Sequence, residues 1–171
     1  MKQSNGIYVI PFSRSHDPSY EPKWKEWCSL QKARMFVDTT VPDRELKKEI
    51  NDLVGKPFSL LKMFKIGAIG SHRMIVSEYS DKFREVLTRS TDLNYCNLEL
   101  RPKGVIVHLS KDRSRHSWII PYYKLALFDS KTFSIHADGQ YLRIQRDRYW
   151  KMNKKFHRKL LLLKEEVMSY K

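Results

Sequence analysis

Leu98-Glu99-Leu100-Arg101-Pro102-Lys103-Gly104-Val105-Ile106-Val107-His108-Leu109 decides the fold class. Leu98 and Leu100 alternate with Asn97 and Glu99, Pro102-Lys103-Gly104 supplies a turn, and a β-branched run follows; together they predict a hairpin. Beyond the charged stretch Ser110 to Arg115, Trp118-Ile119-Ile120 and Leu125-Ala126-Leu127-Phe128 read as strands. Pro121 bends the chain between them, because proline cannot donate to a central ladder. Phe133 and Ile135 precede Ala137-Asp138-Gly139-Gln140, and Leu142 and Ile144 follow it. Asp-Gly between alternating segments is the strongest hairpin signal in the chain. From Asp147, a residue suited to an N-cap, the pattern turns helical to the end. Tyr149, Met152, Phe156, Leu160, Leu163 and Val167 recur at spacings of 3, 4, 4, 3 and 4 and make one apolar stripe. Arg148, Lys151, Lys154, Lys155, Arg158 and Lys159 occupy the opposite side, with Glu165 and Glu166 only near the end.

Upstream of the hairpin the texture is helical. Ile75, Tyr79, Phe83, Val86 and Leu87 predict a helix over about 74–88, and Phe58 to Ile69, apolar almost all round, predicts a buried helix interrupted or ended by Gly67 and Gly70. Thr40-Val41-Pro42-Asp43 looks like a helix start with a capping hydroxyl and an acid three residues on. Leu46, Ile50, Leu53 and Val54 continue that helix until Gly55 closes it. Ile7 to Ile10 is a β-prone run stopped by Pro11, and Trp24, Trp27 and Leu30 follow Pro22 at helical spacing, whereas Met35-Phe36-Val37 reads equally as a strand. The expected chain is therefore α+β. A mixed, mainly helical region spans 1–92, and an antiparallel meander or partly open barrel, capped by a long C-terminal amphipathic helix, spans 93–171.

The 171 residues carry 33 Lys plus Arg against 19 Asp plus Glu, a formal net charge of +14 with 41% hydrophobic residues. Such a chain is too rich in bulky side chains for disorder and long enough for a core without staples. The positive charge is uneven: residues 1–95 are net +4 and residues 96–171 net +10. That bias argues for nucleic acid, anionic lipid or acidic protein as partners and is silent about fold. No apolar run approaches the roughly 20 residues of a spanning helix, and Ile7 to Pro11 is too short for the apolar core of a signal peptide. Cys28 and Cys96 are far apart, with no CxxC pair. Reduced, buried thiols and a cytoplasmic location are the expectation.

The order of features from about 95 to 168 resembles the pleckstrin-homology-like fold, and bacterial members of that superfamily in particular. The resemblance rests on Leu98 to Val107, then Trp118-Ile119-Ile120-Pro121-Tyr122-Tyr123-Lys124-Leu125, then Phe133 to Ile144 with its Asp-Gly turn, then the terminal helix. It implies a bent sheet of seven strands closed at its open end by that helix. Six strands are counted here, so the barrel is either incomplete or borrows a strand, with Tyr8 to Pro11 as the candidate. In membrane-binding relatives, basic side chains on the loop between the first two long strands hold lipid phosphates. Lys111-Asp112-Arg113-Ser114-Arg115-His116 is similar in composition, although it follows the second strand; Lys111, Arg113 and Arg115 are the phosphate candidates that the resemblance supplies.

Other chemistry is sparse. The six histidines show no ligand spacing, so neither metal nor cofactor is expected, and Gly67-Ala68-Ile69-Gly70 lacks the lysine and context of a phosphate loop. No nucleophile elbow or acid–base pair is assignable. The expected function is a non-enzymatic binding or adaptor module that recognises a protein or an anionic surface. The basic loop and the helix face of Lys151, Lys154, Lys155, Arg158 and Lys159 would make the contact. The alternative is a nucleic-acid-binding protein in which those cations track phosphates and Tyr149 or Trp150 stacks on a base. An enzyme of unidentified type is a further alternative. Tyr20, Trp24 and Trp27 offer a protein contact or homodimer surface, though burial is the commoner fate of two tryptophans.

Overall fold

The computed structural model describes residues 36–87, 93–111 and 113–169. The chain divides into two compact units, 1–32 and 33–171. The expected strand at 7–10, the helix after Pro22, the aromatics Tyr20, Trp24 and Trp27, and Cys28 lie outside the described residues. The second unit runs β1 (Phe36–Asp38), α1 (Arg44–Val54), α2 (Leu60–Ile66), β2 (Met74–Tyr79), β3 (Asn94–Arg101), β4 (Gly104–Lys111), β5 (Ser114–Pro121), β6 (Ala126–Asp129), β7 (Phe133–Ala137), β8 (Gln140–Ile144), α3 (Arg148–Met152) and α4 (Lys154–Ser169). Short 3-10 turns follow β2 and β5, at Asp81–Phe83 and Tyr122–Lys124.

All eight strands join one antiparallel sheet, ordered β1-β5-β4-β3-β2-β8-β7-β6. The sheet cannot be flat. Six strand spacings separate β5 from β6 in that order, about 29 Å at about 4.8 Å each. The five residue steps from Pro121 to Ala126 reach at most about 18 Å. The sheet must curl, and alternation then sends Cys96, Leu98 and Leu100 of β3, Val105, Val107 and Leu109 of β4, and Trp118 and Ile120 of β5 into one buried cluster. Phe133 and Ile135 of β7 and Leu142 and Ile144 of β8 join it, and Trp150, Phe156 and Leu160 cover it from α3 and α4. Both expected hairpins form. Leu100 pairs with Val105, and Asp138 and Gly139 turn β7 into β8 with φ of 48° and 73°, the positive pair that such a two-residue turn requires.

Four expectations need correction. The helix over 74–88 is instead strand β2, with Met74, Ile75 and Val76 all buried, ending in a 3-10 turn. A spacing of four, as from Ile75 to Tyr79, is even, so it suits a strand of period 2 as well as a helix. This strand sits mid-sheet between β3 and β8, so the sheet draws on both sides of residue 92. Second, the apolar stretch after Phe58 makes only a seven-residue helix with no buried residue. Ser59 caps it and Gly67, at φ 79°, ends it; Met63 and Ile66 touch the core while Leu60, Leu61 and Phe64 point away.

Third, the terminal helix breaks at Asn153, so its first turns are out of phase with the stripe. Trp150 and Asn153 are buried where Tyr149 and Met152 were expected, and Met152 is exposed. Asn153 clasps the start of β2: its Oδ1 accepts from the His72 N–H at 2.8 Å, and its amide donates to the His72 carbonyl at 3.4 Å and to the Tyr149 carbonyl at 2.9 Å. From Phe156 the predicted stripe holds through Leu160, Leu163 and Val167. Fourth, α1 is capped by Asp43, whose carboxylate accepts from the Glu45 N–H at 2.9 Å, and not by Thr40. The Thr40 hydroxyl accepts from the Arg115 N–H instead, at 2.8 Å.

Candidate functional site

The convex face of the sheet carries a second, smaller apolar cluster. Val37, Ile106 and Ile119 meet Val54 of α1, with Leu46, Ile50 and Leu53 beside it. Glycine is required beneath the end of that helix. A Cβ on Gly104 would run into the Ile120 carbonyl and lie 2.6 Å from the Val54 side chain. One step along the strands the outward positions change from apolar to polar, and a hydrogen-bonded row crosses the sheet. Arg101 Nε donates to Glu99 Oε1 at 2.7 Å, Glu99 Oε2 lies 3.0 Å from His108 Nε2, His108 Nδ1 lies 3.0 Å from Ser117 Oγ, and Ser117 Oγ lies 2.9 Å from Thr39 Oγ1. Register aligns them, since His108 stands directly opposite Ser117, and Glu99 is two residues along β3 from Asn97, which faces His108.

An ionised Glu99 accepts only, so in neutral His108 the Nε2 carries the proton and Nδ1 accepts from Ser117. Burial alone would raise the Glu99 carboxyl pKa. The hydrogen bond from His108, the charge and hydrogen bond of Arg101 and the charge of His108 together outweigh it and hold the carboxyl below its ordinary range. Glu99, His108 and Ser117 thus have the spacing of an acid–base–nucleophile triad. The surroundings do not complete it. Ser117 is only 1% exposed and its oxygen is also held by Thr39. The neighbouring backbone donors are engaged as well, Arg115 N–H by the Thr40 hydroxyl and Thr39 N–H by the Arg115 carbonyl, so they are not free to hold an oxyanion. Arg101, His108, Ser117 and Thr39 of the row instead form one wall of a cleft of about 220 Å³ beneath the first turns of α1, lined also by Leu46, Ile50, Lys47 and Arg115.

The basic residues expected to bind anions fall into two sets. β4 and β5 remain paired out to Lys111 and Ser114, so the expected loop is mostly strand, and Arg113 and Arg115 are exposed near its tip. Arg115 belongs to the cleft. Lys151, Lys154, Lys155 and Arg158 are exposed on α3 and α4, which cover the concave face, so the structure does not unite them with Arg115. Lys159 is committed: its ammonium donates to the Ala68 carbonyl at 2.7 Å, and burial lowers its pKa. That bond brings α4 alongside the end of α2. Trp150 is buried against Phe133 and His157 and is not presented for stacking on a base, whereas Arg148 lies over the half-buried Tyr149 ring at 4.8 Å.

Beside these cations, α2 shows the largest apolar anomaly of the described surface: Leu60, Leu61 and Phe64 are 73%, 79% and 87% exposed. Lys62 stands between them and Lys65 follows Phe64, with Lys62 over the Phe58 ring at 5.2 Å. Among the described residues no group of three or more His, Cys, Asp or Glu is placed to hold a metal. Cys96 is fully buried, and desolvation pushes its thiol up to about 12. No described helix is long and apolar enough to cross a membrane.

The polar row escapes a reading of sequence because it needs two strand registers at once. Its only local signal is the outward alternation of Glu99, Arg101 and His108 around one hairpin. No protein-family model matches the chain, and no curated protein and no solved structure matches it either, so its geometry carries the functional argument.

Proposed function

We propose that this chain is a binding module of pleckstrin-homology-like build that docks on an anionic lipid surface through α2 and the adjoining basic face of α3 and α4. Support for the build is the strand count. With β1 set aside, seven antiparallel strands precede a helix that covers the concave side, and β2 is the strand missing from the sequence count. The docking rests on one observation, the exposure of Leu60, Leu61 and Phe64 in a well-capped helix that also carries two lysines. Each such side chain gains about 1.5–3 kcal/mol on leaving water. Each lysine near an anionic leaflet contributes about 1 kcal/mol. Lys62, Lys65, Lys154, Lys155 and Arg158 supply the second signal that reversible anchoring needs in addition to shallow apolar insertion.

Cosedimentation of the full chain with vesicles of phosphatidylserine and phosphatidylcholine, against phosphatidylcholine alone, tests this. Binding to the anionic vesicles only, lost on joint Leu61→Glu and Phe64→Glu replacement, is expected; both side chains are exposed, so the fold tolerates the change. Equal binding by the double variant, or no binding at low salt, refutes the reading. A second reading, nucleic acid, is favoured by the absence of an ion-pair partner among the described residues for Lys151, Lys154, Lys155 and Arg158. It predicts duplex or single-strand affinity falling steeply with salt, with a slope reduced when Lys151, Lys155 and Arg158 are replaced.

A further inference from the structure

We infer that the cleft under α1, on the opposite face of the sheet from the docking surface, binds a small amphipathic carboxylate, with the apolar body on Leu46, Ile50 and Ile106 and the head group between Lys47 and Arg115. Size sets the first limit. A cleft of about 220 Å³ has room for a ring or a short chain. Charge sets the second. Arg101 lines the cleft but is neutralised by Glu99, whereas Lys47 and Arg115 have no ion-pair partner among the described residues. Asp43, also lining, carries the only opposing charge among the described lining residues and is held as the cap of α1. The surplus is one positive charge, which a monoanion matches and a phosphate dianion exceeds.

Pre-organisation is the third argument. The Arg115 backbone is fixed on both sides, its N–H by the Thr40 hydroxyl at 2.8 Å and its carbonyl by the Thr39 N–H at 2.7 Å, so its guanidinium starts from a rigid base. Guanidinium matches carboxylate as a planar fork, and the hydroxyls and imidazole of Thr39, Ser117 and His108, bonded to one another, present a polar wall beside it.

The test is a titration of the ¹⁵N-labelled full chain with sodium benzoate, benzamide and phenyl phosphate at constant ionic strength, followed by amide shifts. Benzoate is expected to give saturable shifts at residues 43–51 and 106–117, with benzamide and phenyl phosphate each about tenfold weaker. Arg115→Gln and Lys47→Gln each weaken benzoate by about tenfold, and Leu46→Trp, which fills the cleft without altering charge, abolishes binding. Three results overturn the inference: no benzoate shifts in the cleft, benzamide binding as well as benzoate, or phenyl phosphate binding more tightly than either. Vesicle binding is independent of all of them, because α2 lies on the other side of the sheet.

Discussion

His157 sits where a histidine should be uncomfortable, and the discomfort is measurable. Its ring stacks on Trp150 at 3.6 Å between centroids and lies 4.9 Å from Phe133. It is 7% exposed, and neither ring nitrogen has a hydrogen-bond partner among the described residues. Burial lowers its pKa from 6.5 to about 4. The unfolded chain therefore binds a proton near pH 6.5 that the fold refuses until about pH 4, so stability falls as pH drops through that window and levels off below it. Two and a half units at 1.36 kcal/mol each amount to about 3 kcal/mol, a sizeable part of the roughly 5–15 kcal/mol that holds a domain together. His157→Phe keeps the stacked ring and removes both nitrogens. In urea unfolding followed by tryptophan fluorescence, the variant should be at least as stable as the parent at pH 7.5. Its advantage should widen by about 2 kcal/mol on going to pH 5. Parallel stability curves from pH 7.5 to 4.5 would show that the folded ring takes up its proton at an ordinary pH, and the account of a dry, unpartnered imidazole would fall.

Two further outcomes follow from the convex face. Gly104→Ala places a Cβ against the Ile120 carbonyl and Val54, so α1 must lift; a loss of about 1–3 kcal/mol in urea unfolding is expected, and an unchanged midpoint would mean the helix packs less closely than described. Glu99→Gln leaves Arg101 without its counter-charge and should cost about 1–3 kcal/mol at neutral pH. Because the Glu99 pKa is depressed, that contribution is present at neutral pH and lost as pH falls through the folded pKa, so parent and variant should converge in acid; a gap that stays constant down to pH 3 contradicts it.

The hairpins were legible because turn chemistry fixes register locally: Asp138-Gly139 supplies the two positive φ angles, and Pro102-Lys103 links strands that alternate in phase. Strand β2 was not, since its apolar spacing of four satisfies both periods and only the vacancy between β3 and β8 decides between them. All-round apolarity in Leu60–Ile66 reads as burial, yet burial requires partners on every side, and the core offers them only to Met63 and Ile66. The phase break in the terminal helix was hidden for a chemical reason. Asn153 counts as polar in any periodicity, but its amide is satisfied by the His72 peptide and so can be buried. Charge was visible from the outset, whereas its division between two faces of a sheet depends on which helix covers which face.

That division also explains why a cleft exists at all. Helix α1 lies over strands whose outward residues change character along its length. Under its last turn they are Ile106 and Ile119, with Gly104 allowing close approach, and Val54 closes a dry contact with them. Under its first turns they are His108 and Ser117, already bonded to Glu99 and to Thr39. Those polar atoms satisfy one another, while Leu46 and Ile50 pack with the apolar cluster, and the space between the helix and the row is the cleft. The helix therefore makes a dry contact at its last turn and roofs the cleft at its first turns. The Ser117–Thr39 bond fastens the end of β1 to β5, next to the Arg115 backbone bonds from Thr39 and Thr40. The opening thus lies over the polar row, and its two cations without an ion-pair partner among the described residues, Lys47 from the roof and Arg115 from the floor, are set on either side of it by elements with separate reasons for being rigid.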